Sequence, residues 1–523
     1  MKLRNQKNKI ENYVYFFYIS LGVSAFFLNF WASNRGVFPI DTFLHYDSAN
    51  RILNGEKPVK DFWIIHGITL DYIQSIFFYI FGTNWISYIS HSSLLNSIVT
   101  IFFFKFLREI ALNIFISGFL TICFLILAYP VSGVPFIDHH ATFFSFIAIL
   151  IFFTCTIKKK YKNLLIIPTL FGLAFFSKPV PTIYILTFFS LISFSYFFYT
   201  KNLKSFFLLI YGVIIFFLLI IIFLFLQKIS INQFIEQLIL YPSSIGGSRM
   251  SAIIESISVR IFNYKFIFIL IIYLLSIFLF KKNYKKISTE NFFLFFMIIS
   301  FSLVMIAHQI MTNNQNFIFF LIPINVGLII FLNEKIFKGY KILINTFFLV
   351  LCLVLTIKYF DRFLDKRKFH ELANVNFENA INSVEIDKTL YPLKWITPTY
   401  RNPYEELNLI KNLTQKIESS EKNIALITNY NFLNSITKKK IFSIVKNFDQ
   451  VTIPLEDNKY SENFKIFFLK QIKKKDIEEI ILFLPESKNV NEIAQNFKKL
   501  ISLKCLSYKE TNTKTAIYTV KDC

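Results

Sequence analysis

Long apolar runs recur along this chain from position 13 to position 360, and they constrain its fold more than any other feature. A helix of about 20 apolar residues crosses the hydrocarbon core of a bilayer, where every backbone group must find its hydrogen-bond partner within the protein. The chain is 54% hydrophobic and 19% aromatic over 523 residues, and its mean hydropathy of +0.50 excludes a soluble globular protein of this size. The sequence therefore predicts an α-helical polytopic membrane protein.

The apolar runs predict about eleven transmembrane helices. These lie at residues 13–33, 84–107, 110–129, 139–157, 164–177, 181–200, 205–226, 263–280, 291–310, 317–333 and 341–359. Two long loops lie on one side of the membrane, at residues 34–83 and 227–262. Within the first loop, residues 70–81 are apolar but too few to span a bilayer, which favours an amphipathic helix lying along the membrane surface.

Basic residues indicate which side of the membrane each loop occupies. Lys and Arg clusters fall at every second loop, at residues 2–9, 105–108, 158–162, 201–204, 281–286 and 335–341. The positive-inside rule makes these loops and the N-terminus cytoplasmic, so eleven crossings place the C-terminal region outside. The net charge of +23 is therefore mainly a topology signal, and nucleic acid is not a predicted partner.

The composition becomes that of a soluble domain from about residue 361. Charged helices are predicted at 404–420, 461–474 and 489–501, and strands at 423–428, 478–484 and 516–520. Alternating helices and strands favour a small α/β domain. We therefore predict a transmembrane domain over 1–360 and a C-terminal extracytoplasmic α/β domain over 361–523. Cys505 and Cys523 could pair if this domain lies in an oxidising compartment.

The loop after the first helix concentrates polar side chains in an otherwise apolar chain. Its acids, histidines and arginine include Asp41, His45, Asp47, Arg51, Asp61 and His66. A lone acid would be more simply interpreted as a helix cap or a solvated loop residue. Several acids and histidines on one loop at a membrane face instead indicate a reaction centre or a metal site, because a partly desolvated carboxylate can accept a proton from an attacking hydroxyl.

The spacing of this loop is the basis of a family resemblance. The order Asp41-x3-His-Tyr-x2-Ala49-x2-Ile-Leu-x-Gly55-x2-Pro58-x2-Asp61-Phe-x3-His66-Gly67 resembles the first outward loop of the GT-C membrane glycosyltransferases. The likeness is closest to the bacterial branch related to protein O-mannosyltransferases and aminoarabinose transferases. Thr42 stands where that branch often has Ser or Glu, and Ile68 stands where it usually has Pro.

The resemblance implies a GT-C-like catalytic domain in the bacterial cytoplasmic membrane. In such enzymes the first-loop acid, here Asp41, activates the acceptor hydroxyl as a general base. The donor is a sugar linked to a polyprenyl phosphate, and attack inverts the anomeric centre. The acceptor implied is a lipid, a glycan or a protein. Asp47, Arg51, Asp61 and His66 are candidate substrate-binding residues of the same loop.

A second polar group opens the fourth predicted span. Asp138, His139 and His140 are consecutive, and an Asp there could simply complement the helix dipole. A second outward acid recurs at this place in the resembling family, which makes Asp138 and His139 candidate substrate ligands. The three residues are also candidates for binding a divalent metal ion, although adjacent His side chains point to different faces of a helix. Because some GT-C branches use a metal and others do not, metal dependence stays open.

Two cations are candidates for holding the donor phosphate. Lys178 lies in Phe-Ser-Lys-Pro at the end of the short fifth span, and it resembles the lysine that related transferases carry in this turn. The simpler alternative is a lysine that extends to the membrane interface. Arg249 follows a Gly-Gly-Ser stretch in the second long loop. His308, near the end of the ninth span, is interpreted as part of a solvated loop rather than of a sugar pocket.

Three classes of function remain to be compared. A transporter or flippase for lipid-linked glycans would place charged groups at mid-membrane, often with repeated halves. In this sequence the ionisable residues gather at the ends of the spans, and no repeat is evident. A non-catalytic assembly protein would leave the acid-rich first loop without a purpose. The sequence therefore favours the glycosyltransferase, with the transporter or flippase as the alternative.

Overall fold

The computed structural model describes residues 2–245, 267–312, 318–336, 341–448, 452–454, 457–486, 497, 505–511 and 514–521. Most of the chain up to residue 360 is helical. Its long helices are Lys2–Ser33, Trp85–Glu109, Ile114–Leu127, Ile137–Lys158, Ile167–Ser177, Pro179–Tyr199, Leu203–Gln227, Ile267–Asn283, Thr289–Thr312, Leu321–Ile336 and Lys341–Phe360.

Each predicted span coincides with one of these helices. Among the described residues, eight helices are long and apolar enough to cross a membrane. The spans predicted at 164–177, 263–280 and 317–333 coincide with the shorter helices Ile167–Ser177, Ile267–Asn283 and Leu321–Ile336. The prediction of a polytopic helical membrane protein is confirmed.

The chain divides into two compact units. A helical unit comprises Met1–Ser33, Ile89–Ile221 and Met250–Phe369, and a polar unit comprises Asn34–Tyr88, Ile222–Arg249 and His370–Cys523. The first long loop and part of the second therefore belong to the same compact unit as the C-terminal region.

Aromatic side chains fill the interior of the helical unit. The rings of Phe103 and Phe124 stack with their centroids 4.4 Å apart, and Phe146 stacks on Phe301 at 5.2 Å. Offset aromatic pairs of this kind add stabilisation beyond the apolar area that they bury. Cys123, Cys155 and Cys352 are free and buried, as expected for small core residues.

The polar unit contains the predicted α/β arrangement. The described strands are β1 (Ile381–Asn382), β2 (Lys394–Trp395), β3 (Ile424–Thr428), β4 (Glu479–Phe483), β5 (Leu506–Thr511) and β6 (Thr515–Val520). β1 and β2 form a two-stranded antiparallel sheet. The other four form a sheet with the order β3-β4-β6-β5, in which β3 and β4 are parallel and the other two pairs are antiparallel.

Two amphipathic helices accompany this sheet. They are Pro403–Ser419 and Ser461–Lys474, close to the predicted 404–420 and 461–474. Most of the helix predicted at 489–501 lies outside the described residues. Cys505 is disulfide-bonded, and Cys523 also lies outside the described residues.

The first loop contains the predicted amphipathic helix, Ile68–Phe81. Its polar side chains Asp71 and Gln74 are fully buried, whereas Tyr79 and Phe81 are 79% and 60% exposed. This pattern is the reverse of a soluble helix and is suited to contact between the exposed aromatic side chains and lipid.

Candidate active site

Asp41 lies in a short helical turn, Pro39–Thr42, at the start of the first loop. Pro39 occupies the first helical position, where proline is favoured because its φ is fixed near the helical value and no N–H donor is needed. The Asp41 N–H donates to the Phe38 carbonyl at 3.0 Å. The side chain of Asp41 is half-buried, while residues 42–49 are all buried. Asp41 is thus the partly accessible aspartate of this loop, and a closely packed segment follows it.

The other sequence-predicted residues of this loop are engaged in ion pairs within the polar unit. Asp47 accepts a hydrogen bond from Asn434 at 2.6 Å and lies 3.8 Å from Arg51. Arg51 donates to Glu56 at 2.5 and 3.0 Å, and its guanidinium stacks over the Phe62 ring at 4.0 Å.

Asp61 has a comparable set of partners. Its Oδ1 lies 2.6 Å from Lys474 Nζ, and its Oδ2 accepts the Lys57 N–H at 2.9 Å. These donors outweigh the effect of burial and lower the pKa of Asp61. His66 is half-buried, and its carbonyl oxygen lies 3.4 Å from Lys446 Nζ.

Glu486 is an acid near Asp41 that the sequence did not single out. Burial, followed by the charges of Glu406 and Asp41, raises the pKa of Glu486 to about 7. Glu406 is itself fully buried and accepts hydrogen bonds from Trp395 and Thr397 at 3.0 Å each. Asp41 therefore lies in the field of another carboxyl group whose charge changes near neutral pH.

The helical unit contains a second charged group, built around Asp138. Asp138 lies in the first turn of the helix Ile137–Lys158, and Lys178 occupies an extended position between the helices Ile167–Ser177 and Pro179–Tyr199. The helix break at Lys178 was predicted, and it directs the ammonium to both carboxylate oxygens of Asp138 at 2.8 Å.

His308 completes this group. Its Nε2 lies 3.2 Å from Asp138 Oδ1, and because a carboxylate only accepts hydrogen bonds, Nε2 carries the proton. The side chain of His308 is fully buried, so the interpretation of this residue as part of a solvated loop is wrong. The sequence offered no signal for the contact, since 170 positions separate the two residues.

His139 and His140 diverge, as expected for neighbours on a helix. His139 packs against the rings of Tyr129 and Phe143. His140 places Nδ1 2.7 Å from the Tyr129 hydroxyl and Nε2 2.9 Å from His91 Nε2.

These contacts do not fit a metal centre. Both oxygens of Asp138 are bound by Lys178, and both ring nitrogens of His140 are in hydrogen bonds. No group of three or more His, Cys, Asp or Glu side chains suited to a metal occurs among the described residues. Arg249 lies outside the part of the chain that the structure describes.

The chain is a polytopic helical membrane protein with a small α/β region, because it combines helices long enough to span a membrane with a small sheet. No family model matches the chain, and no curated protein is found to match it. Among solved structures, the chain is similar to ArnT from Cupriavidus metallidurans in the apo state, with 10% sequence identity and a TM-score of 0.47 over 98% of each chain.

It is also similar to ArnT from Cupriavidus metallidurans bound to undecaprenyl phosphate. The sequence identity is 8% and the TM-score 0.44, over 97% of this chain and 98% of that chain. At these values the likeness assigns neither an activity nor a residue role to this chain.

Proposed function

We propose that this chain is a membrane glycosyltransferase that moves a sugar from a polyprenyl-phosphate donor to a hydroxyl acceptor. Asp41 acts as the general base: its carboxylate takes the proton of the acceptor hydroxyl as the oxygen attacks the anomeric carbon. The bond from that carbon to the phosphate oxygen breaks, the polyprenyl phosphate leaves, and the anomeric configuration inverts.

The observation that supports this role best is the difference in accessibility among the aspartates of the first loop. Asp47, Asp61 and Asp71 are 4%, 8% and 0% exposed, whereas Asp41 is half-buried. A general base must reach the proton that it abstracts and must also be held in place. Asp41 meets both conditions because the packed residues that follow it fix its position.

Lys178 is the proposed ligand of the donor phosphate. Its side chain is 26% exposed although its ammonium pairs with a buried carboxylate, so the cation is both oriented and accessible. A lysine acts on phosphate as a point charge. The proposed roles of Asp47, Arg51 and Asp61 are to hold the loop that carries Asp41, and Asp138 is proposed to hold Lys178.

The transporter alternative draws on the buried charges of the helical unit, since intramembrane ionisable groups often mark a transport path. Asp138, however, is the second residue of its helix, and His308 lies four residues before the end of the helix Thr289–Thr312. Charges at helix ends favour chemistry at a membrane face over transport through its middle.

The test uses purified full-length protein in liposomes with a donor panel of radiolabelled sugars on polyprenyl phosphate. A transferase releases polyprenyl phosphate and adds label to acceptors from bacterial envelope extracts, with inverted anomeric configuration. A flippase moves intact donor across the bilayer and breaks no bond. Translocation of intact donor without any released polyprenyl phosphate would overturn the proposed function.

A further inference from the structure

A buried charge cluster in the polar unit lies apart from the candidate catalytic groups. It consists of His45, Ser48, Asp71 and Lys446, all between 0% and 5% exposed. Lys446 Nζ donates to the two Asp71 oxygens at 2.8 and 2.7 Å. Ser48 donates to Asp71 Oδ1 at 2.6 Å, and His45 Nδ1 lies 2.7 Å from the same oxygen.

The protonation state of the cluster follows from its geometry. His45 Nδ1 lies 2.7 Å from Asp71 Oδ1 and 3.1 Å from Lys446 Nζ, which donates to the closer Asp71 oxygens. Because ionised Asp71 can only accept hydrogen bonds, the shorter contact assigns the His45 proton to Nδ1 and leaves Nε2 with a lone pair. His45 Nε2 is buried and has no hydrogen-bond partner within the described residues. Burial and the Lys446 ammonium lower the pKa of His45 to about 4, against the opposing effect of Asp71. At neutral pH the negative charge of Asp71 is therefore neutralised by the positive charge of Lys446, and the His45 ring is uncharged.

The cluster joins three separate segments of the polar unit. His45 and Ser48 come from the loop that carries Asp41, Asp71 comes from the helix Ile68–Phe81, and Lys446 comes from the C-terminal region. The backbone supports the same junction, because the Trp63 N–H donates to the Ile444 carbonyl and the Lys446 N–H donates to the Trp63 carbonyl, each at 2.9 Å.

His45 lies four residues after Asp41, and the backbone that carries both is held in two successive turns that share Phe43. The Phe43 N–H donates to the Pro39 carbonyl at 3.3 Å across Asp41, and the Tyr46 N–H donates to the Phe43 carbonyl at 3.0 Å across His45. A displacement of His45 would therefore be transmitted to the turn that presents Asp41.

We propose that Lys446, Asp71 and His45 form a charge-balanced positioning device through which the C-terminal region fixes the loop that carries Asp41. The proposal rests on the proposed function for its catalytic consequence. Lys446 is the positioning residue that the C-terminal region contributes. Without Lys446, a fully buried carboxylate loses its cation, and such an uncompensated charge must find water or a proton by opening its surroundings.

The variant Lys446→Met tests the device. A shift of the order of 1 Å in a catalytic group costs about a hundredfold in rate, so we expect kcat to fall about a hundredfold with the donor KM nearly unchanged. The double variant Lys446→Met/Asp71→Asn removes both charges together and should recover most of kcat. The control is Lys422→Met, which breaks a 2.8 Å pair with Glu479 where the lysine side chain is 40% exposed, and it should match the wild type.

Hydrogen exchange on the same variants keeps this proposal separate from the proposed function. Exchange at residues 42–49 should rise in Lys446→Met and return toward the wild-type level in the double variant. If the wild type transfers no sugar, the proposed function fails, and the exchange result alone still decides whether the device exists. Equal kcat and exchange in Lys446→Met and Lys422→Met, or no recovery in the double variant, would overturn the device.

Discussion

Individual side chains in this chain combine charge with burial to an unusual degree. Asp71 and Asp138 are 0% and 1% exposed, and each is bound through both oxygens by one lysine. Removing one partner of such a pair costs about 3–5 kcal/mol, whereas removing both is often neutral. At the residue scale, the buried aspartates are therefore held in fixed positions, and Asp41 is the aspartate of the first loop that is only partly buried.

The raised pKa of Glu486 should make the free energy of unfolding of this protein depend on pH. Its pKa is about 7 in the folded chain, above its usual value of 4.5, so the folded state retains a proton that the unfolded state has released. Stability therefore falls as pH rises from about 4.5 to about 7. Thermal unfolding in detergent across this range should show the decline in the wild type and a weaker one in Glu486→Gln. The same slope in both proteins would exclude Glu486 as its source.

Lys178 should affect donor affinity more than turnover. Loss of one charge-assisted hydrogen bond to phosphate raises the donor KM in Lys178→Met by about tenfold or more. The double variant Asp138→Asn/Lys178→Met restores charge balance, so it should regain thermal stability without regaining donor affinity. Lys204→Met, at an exposed lysine of the helix Leu203–Gln227, is the control. A donor KM equal to that of the control would remove Lys178 from phosphate binding.

The spanning helices could be predicted from their own residues, whereas only some of the strands could. The spans were predictable because a bilayer requires a continuous apolar run, and β3, β4 and β6 because they are short apolar segments. β5, Leu506–Thr511, was missed because Tyr508 is followed by Lys509 and Glu510, and its pairing with β6 outweighs this polar sequence. A spanning helix is thus specified by its own residues, whereas the polar strand β5 depends on its pairing with β6.

Close helix packing predicts a contrast between two glycines. A Cβ on Gly212 would lie 2.6 Å from the Leu165 carbonyl oxygen, whereas the three atoms nearest to a Cβ on Gly172, all closer than 3.0 Å, belong to the ring of Phe216. Backbone cannot move aside as a ring can, so Gly212→Ala should destabilise the protein by about 1–3 kcal/mol and Gly172→Ala by less. Thermal unfolding of both variants measures the difference, and the reverse order would contradict this packing.

At the scale of the whole molecule, the polar unit is assembled from distant parts of the chain. Asp71 and Lys446 are 375 positions apart, and Asn434 and Asp47 are 387 apart. No local sequence pattern predicts pairs that are so far apart in the chain. The candidate residues of the first loop were therefore predictable from their own spacing, but their partners in the C-terminal region were not. The C-terminal region, which the sequence left without a role, supplies lysines and an asparagine to that loop.

The charge pattern also predicts the orientation of the whole chain. With the N-terminus cytoplasmic, the polar unit faces the outside of the membrane. An alkaline phosphatase fused after residue 521 should be active in cells, because the enzyme folds only outside the cytoplasm, and a fluorescent protein at the same place should be dark. A fluorescent fusion with an inactive phosphatase would reverse the predicted topology.

The measurement that tests the central claim most directly is sugar transfer by Asp41→Asn, compared with the wild type at matched protein level. Removing a general base costs about a hundredfold to ten-thousandfold in rate, so transfer should fall by at least that lower figure while donor binding is kept. Asp476→Asn, at an exposed aspartate of the same unit, is the control and should transfer normally. Undiminished transfer by Asp41→Asn would contradict the role of Asp41 as the general base.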